Sequence, residues 1–156
     1  MSAQPRILVI DDDENILKVV AAILKDKGYE VSVAGTGSEA IKKTQKNHYD
    51  LMLIDIKLPD MDGTELLTKI RDTKPRIRKV IVTGYPTLQN AVAAVNKGAD
   101  AYVMKPFDVE SMLETVNEQL KKQKEERKFS EGCVADFIDT RIREMDYKEA
   151  ETAKSK

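Results

Sequence analysis

Residues 50–62 read DLMLIDIKLPDMD, and this stretch decides the fold. Its first half is a continuous apolar run of strand-favouring residues, which is the pattern of a β-strand covered on both faces. The run ends in the carboxylate of Asp55, Pro59 then interrupts strand pairing, and a helical pattern follows over 64–71. Ligands of parallel α/β sheets bind beyond the carboxyl ends of the strands, so Asp55 lies where we expect the functional site.

Around this stretch the sequence predicts four further units in which a strand is followed by a helix. Apolar residues recur at helical spacing after Asn15, and Gly28 is placed to end that helix. Thr36 and Glu39 form a capping box at the start of the next one. The predicted strands are 6–10, 30–34, 79–83 and 100–104, and the other predicted helices cover 36–47, 87–97 and the residues that follow Asp108.

The order of these units predicts the architecture. Strands that alternate with helices pair in parallel, through right-handed crossovers. The five units end near residue 120, whereas a closed barrel typically needs about 250 residues. We therefore predict an α/β fold of the flavodoxin-like, doubly wound (βα)5 type, with a five-stranded parallel sheet in the order 2-1-3-4-5. In that order the acidic turn after Ile10 lies beside Asp55.

Composition excludes several classes of function. The 156 residues carry a formal net charge of -1, so the chain lacks the strong basic balance typical of direct nucleic-acid binding. The single cysteine, Cys133, excludes an internal disulfide and a thiol metal cluster. The apolar runs are too short to span a membrane, and the first residues lack a signal pattern. We expect a cytoplasmic protein without a membrane contact.

The composition changes after residue 120, which divides the predicted organisation into a domain over 5–120 and a tail over 121–156. The tail begins with a charged stretch that is either a solvated extension of the last helix or a linker. A short amphipathic helix is predicted next, from apolar residues at helical spacing over 134–145. This C-terminal helical extension would dock on its own domain, pair with a second copy, or begin a linker to another domain.

Side chains that carry chemistry follow four of the predicted strands. Three carboxylates at one sheet edge raise one another's pKa values unless a cation offsets them. A lysine supplies one positive charge, and hard carboxylate oxygens suit Mg²⁺ or Mn²⁺ as a second source. Asp13 and Glu14, which follow Asp12 directly in the sequence, are expected to be solvated turn residues. The side chains at the edge are those of Asp11, Asp12, Asp55, Thr83 and Lys105.

This set of groups is suited to phosphoryl transfer. A carboxylate beside a divalent cation and a lysine can act as a nucleophile towards phosphorus. The reaction also requires that the equatorial phosphoryl oxygens be neutralised. The metal on one oxygen, the Lys105 ammonium on a second and the Thr83 hydroxyl on a third would do this.

With these motifs in place, the chain over about 5–120 resembles the receiver domains of two-component response regulators. Five blocks carry the resemblance, and they occur in the family's order on the expected elements. They are Asp11-Asp12, Asp55, the LPDMDG turn over 58–63, Thr83-Gly84 and Lys105-Pro106-Phe107.

The resemblance implies a role for each matching residue. Asp55 would be the phosphoacceptor, and Thr83 with Lys105 would assist the transfer. Thr83 and Tyr102 would form the conformational switch. The resemblance further implies that Asp12, Asp55 and the Lys57 backbone carbonyl bind the metal directly, that Asp11 acts through metal-bound water, that Lys57 and Tyr85 flank the phosphate, and that the Lys105–Pro106 peptide is cis.

The function implied by the resemblance is that of a signalling domain and not of an enzyme in the ordinary sense. A histidine kinase or phosphotransfer protein would donate the phosphoryl group, and the domain would catalyse only its own phosphorylation and dephosphorylation. An output protein would bind the face from Thr87 to Lys121, and a homodimer is a further expectation.

Three rival readings stay open. The chain could be the receiver fragment of a larger transcription factor or signalling enzyme. It could be an unphosphorylated scaffold. It could also be a small-molecule phosphohydrolase, although Lys57 stands where the haloacid dehalogenase type needs a second acid.

Overall fold

The computed structural model describes residues 4–70, 76–84, 88–105 and 108–127. Within them, strands and helices alternate along the chain, as the sequence predicts. The elements are β1 (Arg6–Ile10), α1 (Glu14–Asp26), β2 (Glu30–Ala34), α2 (Gly37–Lys46), β3 (Leu51–Asp55), α3 (Gly63–Lys69), β4 (Arg78–Thr83), α4 (Leu88–Asn96), β5 (Ala101–Met104) and α5 (Val109–Arg127).

The five strands form one parallel sheet in the order β2-β1-β3-β4-β5. This confirms the predicted flavodoxin-like topology. Ile10 at the end of β1 is in register with Ile54 of β3, and Asp55 is in register with Val82 of β4. Thr83 in turn is in register with Met104 at the end of β5. The carboxyl ends of these four strands therefore meet at one edge of the sheet.

Helices cover both faces of the sheet, and side chains along each strand alternate between the two layers. Helices α2, α3 and α4 pack on the face that Leu8, Ile54 and Ile81 contribute. Helices α1 and α5 pack on the opposite face, which includes Val9 and Leu53. All of β3 is buried, which confirms the reading of its apolar run.

The start of α1 differs from the sequence prediction. Asp13 is the N-cap of the helix, and its carboxylate accepts hydrogen bonds from the backbone N–H groups of Asn15 at 2.9 Å and Ile16 at 3.4 Å. Glu14 lies in the first helical turn. Both acids are exposed, as the sequence predicts. The structure adds that Asp13 caps the helix and that Glu14 is helical, because the first amides of a helix need an acceptor.

Glycines follow α1 and α4, close to the predicted ends of both helices. Gly28 after α1 has a φ of 93° and Gly98 after α4 has a φ of 104°. These left-handed conformations are strained for residues with a Cβ atom, so a glycine is favoured at each position.

The last helix continues beyond the predicted domain end, since α5 runs to Arg127. Of the two readings for the charged stretch, the structure shows a helical extension over 121–127. The chain divides into two units, Met1–Gln123 and Lys124–Lys156, and the site described below lies in the first. None of the described helices is long and apolar enough to cross a membrane.

Several sequence predictions concern residues outside the described ranges. They are the amphipathic helix over 134–145, Cys133, Tyr85, Thr87 and the Lys105-Pro106-Phe107 block after its lysine.

Candidate functional site

Three carboxylates meet at the carboxyl edge of the sheet. Asp11 directly follows β1 and is 4% exposed, and Asp55 is the last residue of β3 and is 8% exposed. Asp12 is exposed. One carboxylate oxygen from each of the three residues lies within 4.8 Å of the other two. The fold therefore brings together the acids that the sequence placed at one edge.

Lys105 reaches this cluster from the end of β5. Its Nζ atom donates to Asp11 Oδ2 at 2.8 Å and lies 3.5 Å from Asp55 Oδ1. The base of the side chain is also fixed, because the Lys105 backbone N–H donates to the Thr83 carbonyl at 2.7 Å. One ammonium group is thus shared by two buried carboxylates.

Burial and the charges in this cluster shift the pKa values of Asp55 and Lys105. The pKa of Asp55 is raised, first by burial and then by the neighbouring Asp11 carboxylate, while Lys105 acts in the opposite direction. Burial alone would lower the pKa of Lys105, but the hydrogen bond and charge of Asp11, together with Asp55, raise it overall. One lysine therefore does not balance the negative charge of the cluster.

The donor set fits a divalent cation. Three carboxylate oxygens in one small cluster are hard ligands, of the kind that Mg²⁺ prefers. The ammonium of Lys105 supplies one positive charge against three carboxylates, so a further cation would relieve the remaining repulsion. The residues present are thus suited to Mg²⁺ or Mn²⁺, as the sequence predicts.

The predicted switch residues lie on the two adjacent strands. Thr83 ends β4 and is fully buried. Tyr102 of β5 is in register with Ile81 of β4, and it packs against the core layer of α2, α3 and α4. The Tyr102 hydroxyl is buried and has no hydrogen-bond partner among the described residues. The two residues are one strand apart, and Thr83 lies on the strand next to Asp55.

A tight turn connects Asp55 to α3. Lys57 forms an antiparallel bridge with Asp62, and the Leu58 N–H donates to the Met61 carbonyl at 3.2 Å. Where α3 begins, a Cβ atom on Gly63 would lie 2.4 Å from the Asp55 carbonyl oxygen. Only a residue without a side chain fits against the backbone of Asp55 in this arrangement.

The comparisons with known proteins agree with this geometry. The family described as "Response regulator receiver domain" matches residues 7–117. The chain belongs to this family. Receiver domains act in two-component signalling, and they bind Mg²⁺ through an acidic cluster of the kind seen here.

Named relatives and solved structures place this receiver domain among response regulators. It is 38% identical over 117 residues to the transcriptional regulatory protein ZraR of Klebsiella oxytoca, covering 75% of this chain and 26% of that protein. It is 33% identical over 120 residues to the response regulator ArlR of Staphylococcus saprophyticus, covering 76% of this chain and 53% of that one. The chain therefore spans about a quarter of the first relative and about half of the second.

Solved receiver structures are similar over nearly their whole length. A receiver domain protein from Methanospirillum hungatei JF-1 is 46% identical, with a TM-score of 0.76 over 80% of this chain and 99% of that chain. The beryllofluoride-activated NtrC4 receiver domain dimer is 34% identical, with a TM-score of 0.71 over 76% of this chain and 98% of that chain. Both support the receiver fold.

Sequence reasoning missed one contact of the receiver domain. Asp60 was read only as part of a turn, but its carboxylate accepts three hydrogen bonds from the start of α2. The capping box also differs in one partner. Thr36 Oγ1 accepts from the Glu39 N–H as predicted, but the Glu39 carboxylate accepts from Gly35 and not from Thr36. Neither Thr36 nor Glu39 accepts from the Gly37 and Ser38 amides, so these two amides need an acceptor from elsewhere in the chain. This need is the only signal in the sequence for the Asp60 contact.

Proposed function

We propose that this receiver accepts a phosphoryl group on Asp55, in a Mg²⁺-dependent reaction, from a histidine kinase or a phosphotransfer protein. The observation that carries the proposal is the position of Asp55 at the sheet edge, 3.5 Å from the Lys105 ammonium and within one cluster with Asp11 and Asp12. A nucleophile, a cation and a metal-binding set are thus combined at one point.

Each carboxylate in the cluster has a distinct environment, which supports a distinct role. Both oxygens of Asp11 accept hydrogen bonds, one from Lys105 and one from the Asp13 N–H at 2.9 Å. This favours a role for Asp11 through metal-bound water. Asp12 and Asp55, together with the Lys57 backbone carbonyl, would then hold the metal directly.

In the transfer step, an oxygen of the Asp55 carboxylate attacks phosphorus on the donor's phosphohistidine. The bond from phosphorus to oxygen forms as the bond from phosphorus to nitrogen breaks, and the imidazole leaves. Bound Mg²⁺ supplies positive charge against the phosphoryl oxygens. Lys105 orients and neutralises a second oxygen, and it also favours the ionised form of Asp55, which burial disfavours.

The signal would leave the site through Thr83 and Tyr102. The Thr83 hydroxyl moves to bond a phosphoryl oxygen, and Tyr102 turns into the space that this movement opens. Two observations support this: Thr83 is fully buried on the strand beside Asp55, and the Tyr102 hydroxyl has no partner among the described residues. The equilibrium between two pre-existing states is then biased by the phosphate.

The proposed output surface is the face from Thr87 to Lys121. Of the five large apolar side chains that are exposed among the described residues, four lie in this range, which supports it as a surface for a protein partner. Similarity to the NtrC4 receiver dimer supports a homodimer as one way of covering apolar surface. The four residues and their exposed fractions are Val92 at 49%, Val95 at 64%, Met104 at 58% and Val109 at 42%.

The wider setting of the receiver is also part of the proposal. The coverage of only 26% of ZraR and 53% of ArlR favours a receiver fragment of a larger regulator. The predicted domain end at 120 is extended in this proposal: the receiver domain runs from about residue 5 to Gln123, and the residues after it are assigned to a linker and tail. We further propose that the receiver domain itself acts in the cytoplasm in signalling, without another catalytic activity and without direct contact with nucleic acid or a membrane.

The test is the intact mass after incubation with Mg²⁺ and acetyl phosphate, for the wild type and for Asp55→Asn. We expect one phosphate adduct that is labile to alkali and absent from the variant. Asp55→Asn keeps the size of the side chain but removes the nucleophile. An adduct on the variant would contradict Asp55 as the single acceptor.

The small donor alone does not decide every outcome. If acetyl phosphate and a purified cognate kinase both leave the wild type unmodified in Mg²⁺, the scaffold reading replaces the proposal. Turnover of small phosphate esters at rates that depend on Asp55 would instead favour a phosphohydrolase.

A further inference from the structure

The turn over 57–62 carries the Lys57 carbonyl, and its tip is held by a side chain to which no role has yet been given. Asp60 Oδ1 accepts from the Gly37 backbone N–H at 2.9 Å. Asp60 Oδ2 accepts from the Ser38 backbone N–H at 2.9 Å and from Ser38 Oγ at 2.8 Å. All three donors belong to the first two residues of α2. The carboxylate therefore joins the turn to a helix that lies far from it in the sequence.

This contact completes the N-terminal cap of α2. A helix leaves its first N–H groups without partners inside the helix, and its N-terminus favours negative charge. Thr36 accepts from the Glu39 N–H at 3.1 Å, which leaves the Gly37 and Ser38 amides to Asp60. The same hydrogen bonds lower the pKa of Asp60 to about 2. The carboxylate is therefore ionised at neutral pH, which strengthens each bond.

The residue next to Asp60 packs on the same helix end. A Cβ atom on Gly37 would lie 2.5 Å from Met61 Sδ, so the Met61 side chain occupies the space above this glycine. Met61 also packs against the buried core layer on that face of the sheet. The tip of the turn is thus held by polar and apolar contacts at once, and both lead to the start of α2.

The helix end is in turn tied to the acidic cluster. The Asp11 backbone N–H donates to the carbonyl of Ala34, the last residue of β2, at 3.1 Å. Three residues further along the chain, Gly37 donates to Asp60. A continuous path of backbone and hydrogen bonds therefore runs from Asp11 through α2 to the turn that carries Lys57.

We propose that Asp60 is a positioning residue for the metal centre. Its contact with α2 holds the turn so that the Lys57 carbonyl lies where it binds Mg²⁺ together with Asp12 and Asp55. This inference rests on the proposed function, because it concerns the same metal. Contacts that orient metal ligands typically account for about 10-fold to 100-fold of metal affinity.

The test measures the Mg²⁺ dissociation constant by titration calorimetry, with no phosphodonor present. We expect Asp60→Ala to weaken Mg²⁺ binding about 10-fold. Asp60→Asn keeps one acceptor oxygen and should fall between Asp60→Ala and the wild type. The matched control is Asp62→Ala, which removes the same charge from the same turn but no side-chain cap hydrogen bond. The control should stay within about twofold of the wild type, because it removes a charge without removing a hydrogen bond that caps a helix.

A second readout separates positioning from general damage to the fold. With acetyl phosphate as donor, Asp60→Ala should need more Mg²⁺ for half-maximal phosphorylation of Asp55, while the rate at saturating Mg²⁺ approaches that of the wild type. A fall in the saturating rate alone, with unchanged metal affinity, would contradict the proposal.

The other outcomes are also decisive. Equal weakening by Asp60→Ala and Asp62→Ala would mean that charge alone matters, and it would overturn the role of the contact. If the wild type binds Mg²⁺ and Asp60→Ala binds it equally well, the positioning role fails and the proposed function stands. If the wild type does not bind Mg²⁺, both fail. Should Asp60→Ala not fold, Asp60→Asn and Ser38→Ala carry the test, and unchanged affinity in both would refute the role.

Discussion

At the scale of single residues, the buried acidic cluster lowers the stability of the folded protein. Asp55 is buried beside Asp11, and its pKa is raised by burial first and by that neighbour second. A carboxyl group whose pKa is higher in the folded than in the unfolded protein binds its proton more tightly when folded. Its ionisation therefore costs free energy of folding, and the cost is complete at pH values above the folded pKa.

This reasoning predicts the effect of Asp55→Asn on stability without metal. In EDTA at pH 7 the variant should have a higher free energy of unfolding than the wild type, because it removes a buried charge and its repulsion from Asp11. As the pH falls through the raised pKa of Asp55, the wild type regains its proton and the difference should shrink. Urea denaturation at several pH values measures this. A variant less stable than the wild type at pH 7 would show that the Lys105 ion pair outweighs burial.

In saturating Mg²⁺ the wild type should instead have the higher free energy of unfolding, above that of Asp55→Asn. A ligand that binds only the folded state adds about 2.7 kcal/mol at a concentration 100 times its dissociation constant. The wild type should gain this stability, and Asp55→Asn should gain less because it has lost a proposed ligand.

At the scale of elements, the sequence predicts the strands well and the contacts between loops poorly. The run over 51–54 is apolar at every position, and the structure buries all of β3. Local patterns of this kind are sufficient for strands, helices and their order. The contact between Asp60 and α2 is different, since its donors lie 22 and 23 positions earlier and become neighbours only after folding. The sequence does not predict the cap role of Asp13 for a related reason, because an acid in an exposed turn and an acid that caps a helix look alike in sequence.

The junction between β3 and α3 gives a prediction at this scale. Gly63→Ala would place a Cβ atom 2.4 Å from the Asp55 carbonyl oxygen and 3.0 Å from Ile56 Cα, and both are backbone atoms. We expect a loss of about 1–3 kcal/mol in unfolding free energy, as for other overpacked sites, and slower phosphorylation because Asp55 itself must shift. Urea denaturation and phosphorylation rates measure the two effects.

The matched control is Gly35→Ala. Its nearest neighbour to an added Cβ atom is Glu39 Oε2 at 4.0 Å, which is ordinary contact. This variant should keep both the stability and the rate of the wild type. Equal effects of the two substitutions would mean that the close approach at Gly63 is not the cause.

At the scale of the whole molecule, the two edges of the sheet differ in how their carboxylates are paired with positive charges. At the amino edge, Asp100 accepts from Arg76 at 2.6 and 3.0 Å and from the Lys79 N–H at 2.8 Å. Arg78 also lies 3.4 Å from this carboxylate. At the carboxyl edge, three acids face one lysine. The amino edge thus pairs the Asp100 carboxylate with cations of the protein, whereas the carboxyl edge keeps an excess of carboxylates, which fits the proposed binding of a divalent cation there.

The length of α5 sets the last prediction. The sequence placed the end of the domain near 120, because the charged residues that follow look solvated. In the structure Gln119 and Gln123 are buried, and Gln123 Nε2 donates to the Arg76 carbonyl at 3.3 Å. α5 up to Gln123 therefore belongs with the core beside the start of β4. A search for apolar residues at helical spacing does not detect this burial, because the buried side chains are polar.

Two truncations compare these boundaries. A chain that ends at Arg127 retains all of α5. Its receiver domain should therefore keep the unfolding free energy that it has in the full chain, and it should take up phosphate at the wild-type rate. A chain that ends at Lys121 loses Gln123 and leaves the Arg76 carbonyl without that donor, so it should be less stable by about 1 kcal/mol. Its phosphate uptake should be unchanged, since the acidic edge lies at the other end of the strands. Urea denaturation of the two truncated chains measures the difference in unfolding free energy. Equal values would contradict a role for Gln123 and would support a domain end near residue 120.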